Sequence, residues 1–166
     1  MLTKQNFDEL LHKVEAMKQS GTVDLSTEED LSLAIMNLIS LEEHFYFSGM
    51  KTKKHDYFDL LHEVREMRKE LLAKMMPKNE GETWCIAKHL LATTMRLIEV
   101  GTKLYSDHKQ VEAGEMFARA YKMYSTFWAL RLKLIDSSGF KKIAVSEGAW
   151  SYQDIVEKLV DCCDEK

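Results

Sequence analysis

The sequence predicts an all-α protein, an antiparallel helical bundle of five to six helices, and three observations carry that prediction. Punctuation is sparse: 166 residues hold one proline and seven glycines, few for a chain of short strands that must turn every 8–12 residues or so. Leu, Lys and Glu are abundant and there are ten methionines, all good helix formers. Apolar residues also recur at three- and four-residue spacing in one run after another, the rhythm of one face of a helix.

The elements follow from caps and seams. Asn6-x-x-Glu9 forms a capping box, in which a side-chain acceptor and a carboxylate three residues on satisfy free amide protons. The helix it opens, or joins from Thr3, carries Phe7, Leu10, Leu11, Val14 and Met17 and stops near Gly21. Residues 20–26 are a polar connection. Ser26-x-x-Glu29 caps a second helix along Leu31, Ala34, Leu38, Leu41 and Phe45, ending at Ser48-Gly49. A third runs from about Lys54 to Met76 with Tyr57, Leu60, Val64, Met67, Leu71 and Met75 as its seam, and Pro77 ends it. A fourth occupies residues 83–105 through Ala87, Leu90, Leu91, Thr94, Leu97, Ile98 and Gly101. Asp107-x-x-Gln110 caps a fifth reaching Ile135. It is rich in aromatics (Phe117, Tyr121, Tyr124, Phe127, Trp128), and a helix apolar most of the way round is a central one. Ser137-Ser138-Gly139 breaks the pattern, residues 140–150 read as a short extended or turn segment, and Ser151-x-x-Asp154 starts a last helix through Ile155, Leu159 and Cys162. No linker separates two domains, so residues 1–166 read as one, with 137–166 a mobile tail or a capping helix.

The stretch from Leu97 to Ala120 has a further pattern. Leu97, Val100-Gly101 and Leu104 precede the turn Ser106–Lys109, and Ala113, Phe117 and Ala120 follow it. Small residues at 101, 113 and 120 let two antiparallel helices approach, while Leu104 and Phe117 fill the space. Over residues 94–124 this resembles a single tetratricopeptide repeat, a helix–turn–helix unit. The closing proline of that motif is replaced by Ser125, and no second copy lies 34 residues upstream, where Met67 aligns with Gly101. The resemblance implies a helical hairpin with a groove for a partner peptide, and no ligand.

Composition narrows the function. A net charge of −4 argues against a dedicated nucleic-acid binder, which needs surplus Lys and Arg on one face. Three cysteines without a C-x-x-C, Cys85 and the adjacent Cys162 and Cys163, make neither a disulfide framework nor a zinc ribbon. The first 21 residues have no apolar signal core and no run approaches 18 apolar residues, so the expected location is cytoplasmic, with no membrane contact. Phosphate-binding glycine loops and nucleophile elbows are missing. Cys85 and His89, four apart, lack an orienting acid. Small HEPN-type ribonucleases are similar in size and helix content, but no arginine here is followed by a histidine after four to six residues.

Phe7-Asp8-Glu9-Leu10-Leu11-His12 recurs fifty residues on as Tyr57-Phe58-Asp59-Leu60-Leu61-His62. A carboxylate three residues before a histidine, on each of two helices, resembles the ligand spacing of ferritin-like di-metal bundles. That resemblance implies di-iron or di-manganese held by Glu9, His12, Asp59 and His62, with Glu42 and either Glu82 or Glu99 completing the set. Opposing it, His55, Asp59, His62 and Glu66 form one polar stripe away from the apolar seam, the pattern of a wet surface. The expectation that leads is a non-enzymatic adaptor or scaffold without a cofactor. Its partner is a protein, a peptide or a second copy of itself, whose apolar anchors enter a groove lined by Tyr121, Tyr124 and Trp128. A metal-binding bundle is the first alternative. The second is an RNA-binding protein using the basic region from Lys51 to Arg68.

Overall fold

A computed structural model describes residues 12, 16–17, 19–21, 25–76 and 82–135. Four long helices account for nearly all of them: α1 (Leu25–Thr52), α2 (Asp56–Met75), α3 (Glu82–Ser106) and α4 (Gln110–Arg131). No strand occurs among the described residues. The all-α class is thus shown, with four long helices among the described residues where five to six were expected of the chain. Of the expected first helix only His12, Ala16, Met17 and Gln19 are described as helical. The expected last helix, from Ser151, lies outside the described residues.

The helices form two hairpins, α1–α2 and α3–α4, joined chiefly through α1 and α3. Each connection has a local cause. Met76, ahead of Pro77, is extended (φ −127°, ψ 122°), the conformation a following proline ring favours. After α3, His108 sits in the left-handed region (φ 61°). Its amide donates to the Tyr105 carbonyl (3.1 Å) and that of Lys109 to Leu104 (3.0 Å), the paired bonds of a Schellman ending. Lys133 (φ 56°) ends α4 the same way, through Lys133 to Leu130 (3.0 Å) and Leu134 to Ala129 (2.9 Å). The expected cap at Asp107 does not form: Lys109 is the N-cap of α4, without a side-chain bond.

The core lies at one end of the molecule. Ile35, Met36 and Ile39 of α1 meet Leu72, Met75 and Met76, then Ala87, Leu90 and Leu91 of α3, and Phe127, Trp128 and Leu130 of α4. Residues 125–130 are buried on every side of α4, as its aromatic content foretold for a central helix. Glu28 of α1 pairs with Arg131 of α4 (2.6 Å), and the Ser32 and Tyr124 hydroxyls share a hydrogen bond (2.7 Å). The start of α1 therefore runs beside the end of α4.

Toward the two turns the hairpins close differently, through glycine. A Cβ on Gly101 would stand 2.5 Å from the Phe117 ring, and one on Gly49 would stand 2.8 Å from Phe58. The ring takes the space a side chain would fill. Gly49, expected as the stop of its helix, lies inside α1, which runs on to Thr52.

The α2 seam is also rotated from the expected one. Arg68, Leu72 and Met75 are buried, whereas Leu60 and Met67 are exposed. An ion pair accompanies the rotation. Arg68, only 3% exposed, donates through Nε and Nη2 to the Glu42 carboxylate (2.7 and 3.3 Å). A charged residue can occupy a buried seam when a bidentate partner faces it. On α1 the expected face is one of two. Leu38 and Phe45 are half-buried and Phe45 meets Tyr57 of α2, whereas Ala34 and Leu41, expected on the same face, are exposed, and half-buried Leu31 packs with Ile35, Met36 and Ile39 against the shared core.

Candidate functional site

Three apolar stripes begin in the core and emerge toward the turns. On α1 the buried line through Ser32, Ile35 and Ile39 continues at helical spacing to Glu43, Tyr46 and Met50, with Phe47 beside it. Met50 is 58% and Phe47 57% exposed. On α3 the line through Ala87, Leu91 and Met95 continues to Ile98 and Tyr105, the latter 58% exposed. On α4, Trp128 is buried, Tyr124 and Tyr121 are half-buried, and Phe117 is 37% exposed. Each stripe carries the face that is covered in the core past the point where its neighbours cover it.

Polar contacts mark that transition. Arg96 of α3 donates to the Ser40 hydroxyl (3.1 Å) and lies 3.8 Å from the Glu43 carboxylate. Both charges are near half-exposed, so the strap contributes about 0–1 kcal/mol. Tyr124 stacks on Phe127 (6.3 Å, 9°) and meets Trp128 edge-on (6.2 Å, 84°). Among the described residues, four buried polar atoms at this end have no hydrogen-bond partner: Glu28 Oε2, Arg131 Nε, Trp128 Nε1 and Ser125 Oγ.

The residues expected to form a groove divide. Trp128 is a core side chain, closed in by Phe127 and Tyr124, and lines no open groove. Tyr124 is tied to Ser32. Tyr121 stands where the α4 stripe emerges. Sequence reasoning missed Tyr46, Phe47, Met50, Ile98 and Tyr105. A signal existed in Tyr46-Phe47-x-x-Met50, an apolar cluster obscured by reading Gly49 as a helix end.

The carboxylate–histidine set is not gathered either. Asp59 and His62 are exposed on α2, His12 is exposed, and Glu42 is engaged by Arg68 with Arg65 at 3.9 Å. Glu9 lies outside the described residues. Glu82 is exposed at the start of α3 and Glu99 half-buried near its end. Among the described residues no group of three potential metal ligands comes together. The basic region is likewise split, with Lys51, Lys53 and Lys54 exposed at the turn and Arg68 inside the hairpin. Cys85 and His89 are both exposed on α3. Among the described residues no helix is long and apolar enough to cross a membrane.

No protein-family model, curated protein or solved structure matches this chain.

Proposed function

We propose that this protein is a non-enzymatic helical interaction module, working in the cytoplasm, that binds an apolar helix or peptide along the uncovered stripes of α1, α3 and α4. The observation that carries the reading is the continuity of those stripes with the core: the same faces that exclude water at one end present Tyr46, Phe47, Met50, Ile98 and Tyr105 to it at the other. Large apolar side chains clustered on a surface mark interaction sites more often than isolated ones do. The tetratricopeptide-like positions of the second hairpin support the same reading, since hairpins of that kind present grooves to peptides.

Recognition is of the helix-in-groove kind, with anchors three or four residues apart.

Site-specific photocrosslinking tests the proposal. A benzophenone side chain placed at Phe47 or Tyr105 of the full chain, in its cell of origin, should give discrete adducts that one at the exposed polar position Asn37 does not. Met50→Asp should weaken those adducts about tenfold, as expected when an anchor meets a buried charge. Adducts at all three positions alike, or at none, would refute the reading. An adduct with a second copy of the chain would identify a homo-oligomer.

A further inference from the structure

The uncovered face has its most distinctive chemistry where α1 ends. Tyr46 and Phe47 pack edge to face (5.2 Å, 71°) beside Met50, and all three are exposed. Lys51, Lys53 and Lys54 follow at once and are exposed too. Among the described residues none of these lysines has a carboxylate within 4.0 Å. An apolar patch bordered by three uncompensated ammonium groups fits a segment carrying apolar anchors and carboxylates together.

The chain contains such a segment. Residues 151–166, SYQDIVEKLVDCCDEK, hold five carboxylates against two lysines, a net charge of −3. Ile155, Leu159 and Cys162 recur at i, i+4 and i+7, and on that helical rhythm Asp154, Asp161 and Glu165 fall along one flank. These residues lie outside the described part of the chain.

We propose that residues 151–166 are an intramolecular occupant of this patch, with Ile155 and Leu159 meeting Tyr46, Phe47 and Met50 and the carboxylates of the segment meeting Lys51, Lys53 and Lys54. The tether is long enough. Glu28 and Arg131 are paired, so the end of α4 lies beside the start of α1. From Glu28 to Met50 is 22 residues of helix, about 33 Å at roughly 1.5 Å per residue. Ile135 to Ser151 is 16 residues, reaching up to about 55 Å when extended. Linkage within one chain raises the effective concentration to about millimolar, so a weak contact is occupied until a tighter partner displaces it. This regulation rests on the same face being a docking surface.

Zero-length carbodiimide crosslinking of the full chain, at low salt and low micromolar concentration, tests it. In the monomer band, peptides joining Lys51, Lys53 or Lys54 to carboxylates of 151–166 should exceed those joining the same carboxylates to Lys74 at least about fivefold. Lys74 is exposed at the other end of α2, nearer the root of the tether. Raising salt to about 0.5 M should cut the links severalfold by screening. Met50→Asp should do the same while the chain still unfolds in one cooperative thermal transition. Equal reaction with Lys74, links confined to a dimer band, or indifference to Met50→Asp would each overturn the proposal. Partner adducts at Phe47 without these links would sink intramolecular docking and leave the interaction module standing, and links without partner adducts would do the reverse.

Discussion

Glu42→Ala strands the Arg68 guanidinium inside the first hairpin. Arg68 is 3% exposed and its two hydrogen bonds end on this one carboxylate. Removing a single partner of a buried pair costs about 3–5 kcal/mol, because the remaining charge is left without compensation. The Glu42 side chain keeps 14% of its exposure, so the cost falls near the lower end, about 3 kcal/mol. Arg65, at 3.9 Å and half exposed, adds little. For a chain of this length each kcal/mol moves the melting temperature by about 2–4 °C, so Tm should drop by about 6–12 °C. Urea denaturation followed by far-ultraviolet circular dichroism gives the same quantity as a lowered midpoint with an unchanged slope. Replacing both partners, Glu42→Leu with Arg68→Met, should recover most of the loss, since apolar residues of similar volume substitute well for a buried pair. A single variant costing under about 1 kcal/mol, or a double variant no more stable than the single, would show that Arg68 escapes to solvent and that the seam does not depend on the pair.

Two further substitutions separate the meanings of glycine. Gly114→Ala should stabilise by up to about 1 kcal/mol, the helix-propensity difference, because an added Cβ meets nothing within 4 Å. Gly49→Ala should forfeit that gain against the Phe58 ring at 2.8 Å, and equal thermal shifts for the two would refute the packing role of Gly49. His108→Gly and Lys133→Gly should each stabilise by about 0.5–1 kcal/mol, since both sites hold left-handed backbone that glycine adopts without steric cost. Denaturation midpoints at or below that of the parent would contradict that account.

Particular residues show how far the sequence was legible. The helical class followed from the 3.6-residue rhythm, and the α3–α4 hairpin from Gly101, Ala113, Phe117 and Ala120, three of them buried. Gly49 shows the limit. A glycine in a helical run signals either conformational freedom or a missing Cβ, and only its partner Phe58, on another helix, decides between them. Arg68 was read as the end of a basic region starting at Lys51, because charge usually lies on the surface. Its burial depends on Glu42, 26 residues away. The groove reading failed at Trp128 for a related reason: aromatics around a helix reveal that it is enclosed, but not which ring faces outward.

The one-sided core has a consequence for dynamics that hydrogen exchange can measure. Among the described residues, large side chains are fully buried only near the start of α1, the end of α2, the start of α3 and the end of α4. Near the turns the fully buried residues are small: Gly49, Gly101 and Ala113. A hairpin end with little buried apolar area opens without unfolding the rest. Amides of residues 46–50 and 60–64 should therefore exchange through local opening, while those around Leu72, Leu91 and Trp128 wait for global unfolding. A gap of about 3 kcal/mol corresponds to roughly a hundredfold or more in exchange rate. Glu42→Ala, sited between the two regimes, should spread fast exchange toward Leu72 before it reaches Trp128. Uniform protection from Tyr46 to Trp128 would mean that the hairpin ends share one cooperative core with the rest. In that event the exposed stripes would belong to a rigid surface, and a docked segment would add no protection at residues 46–50.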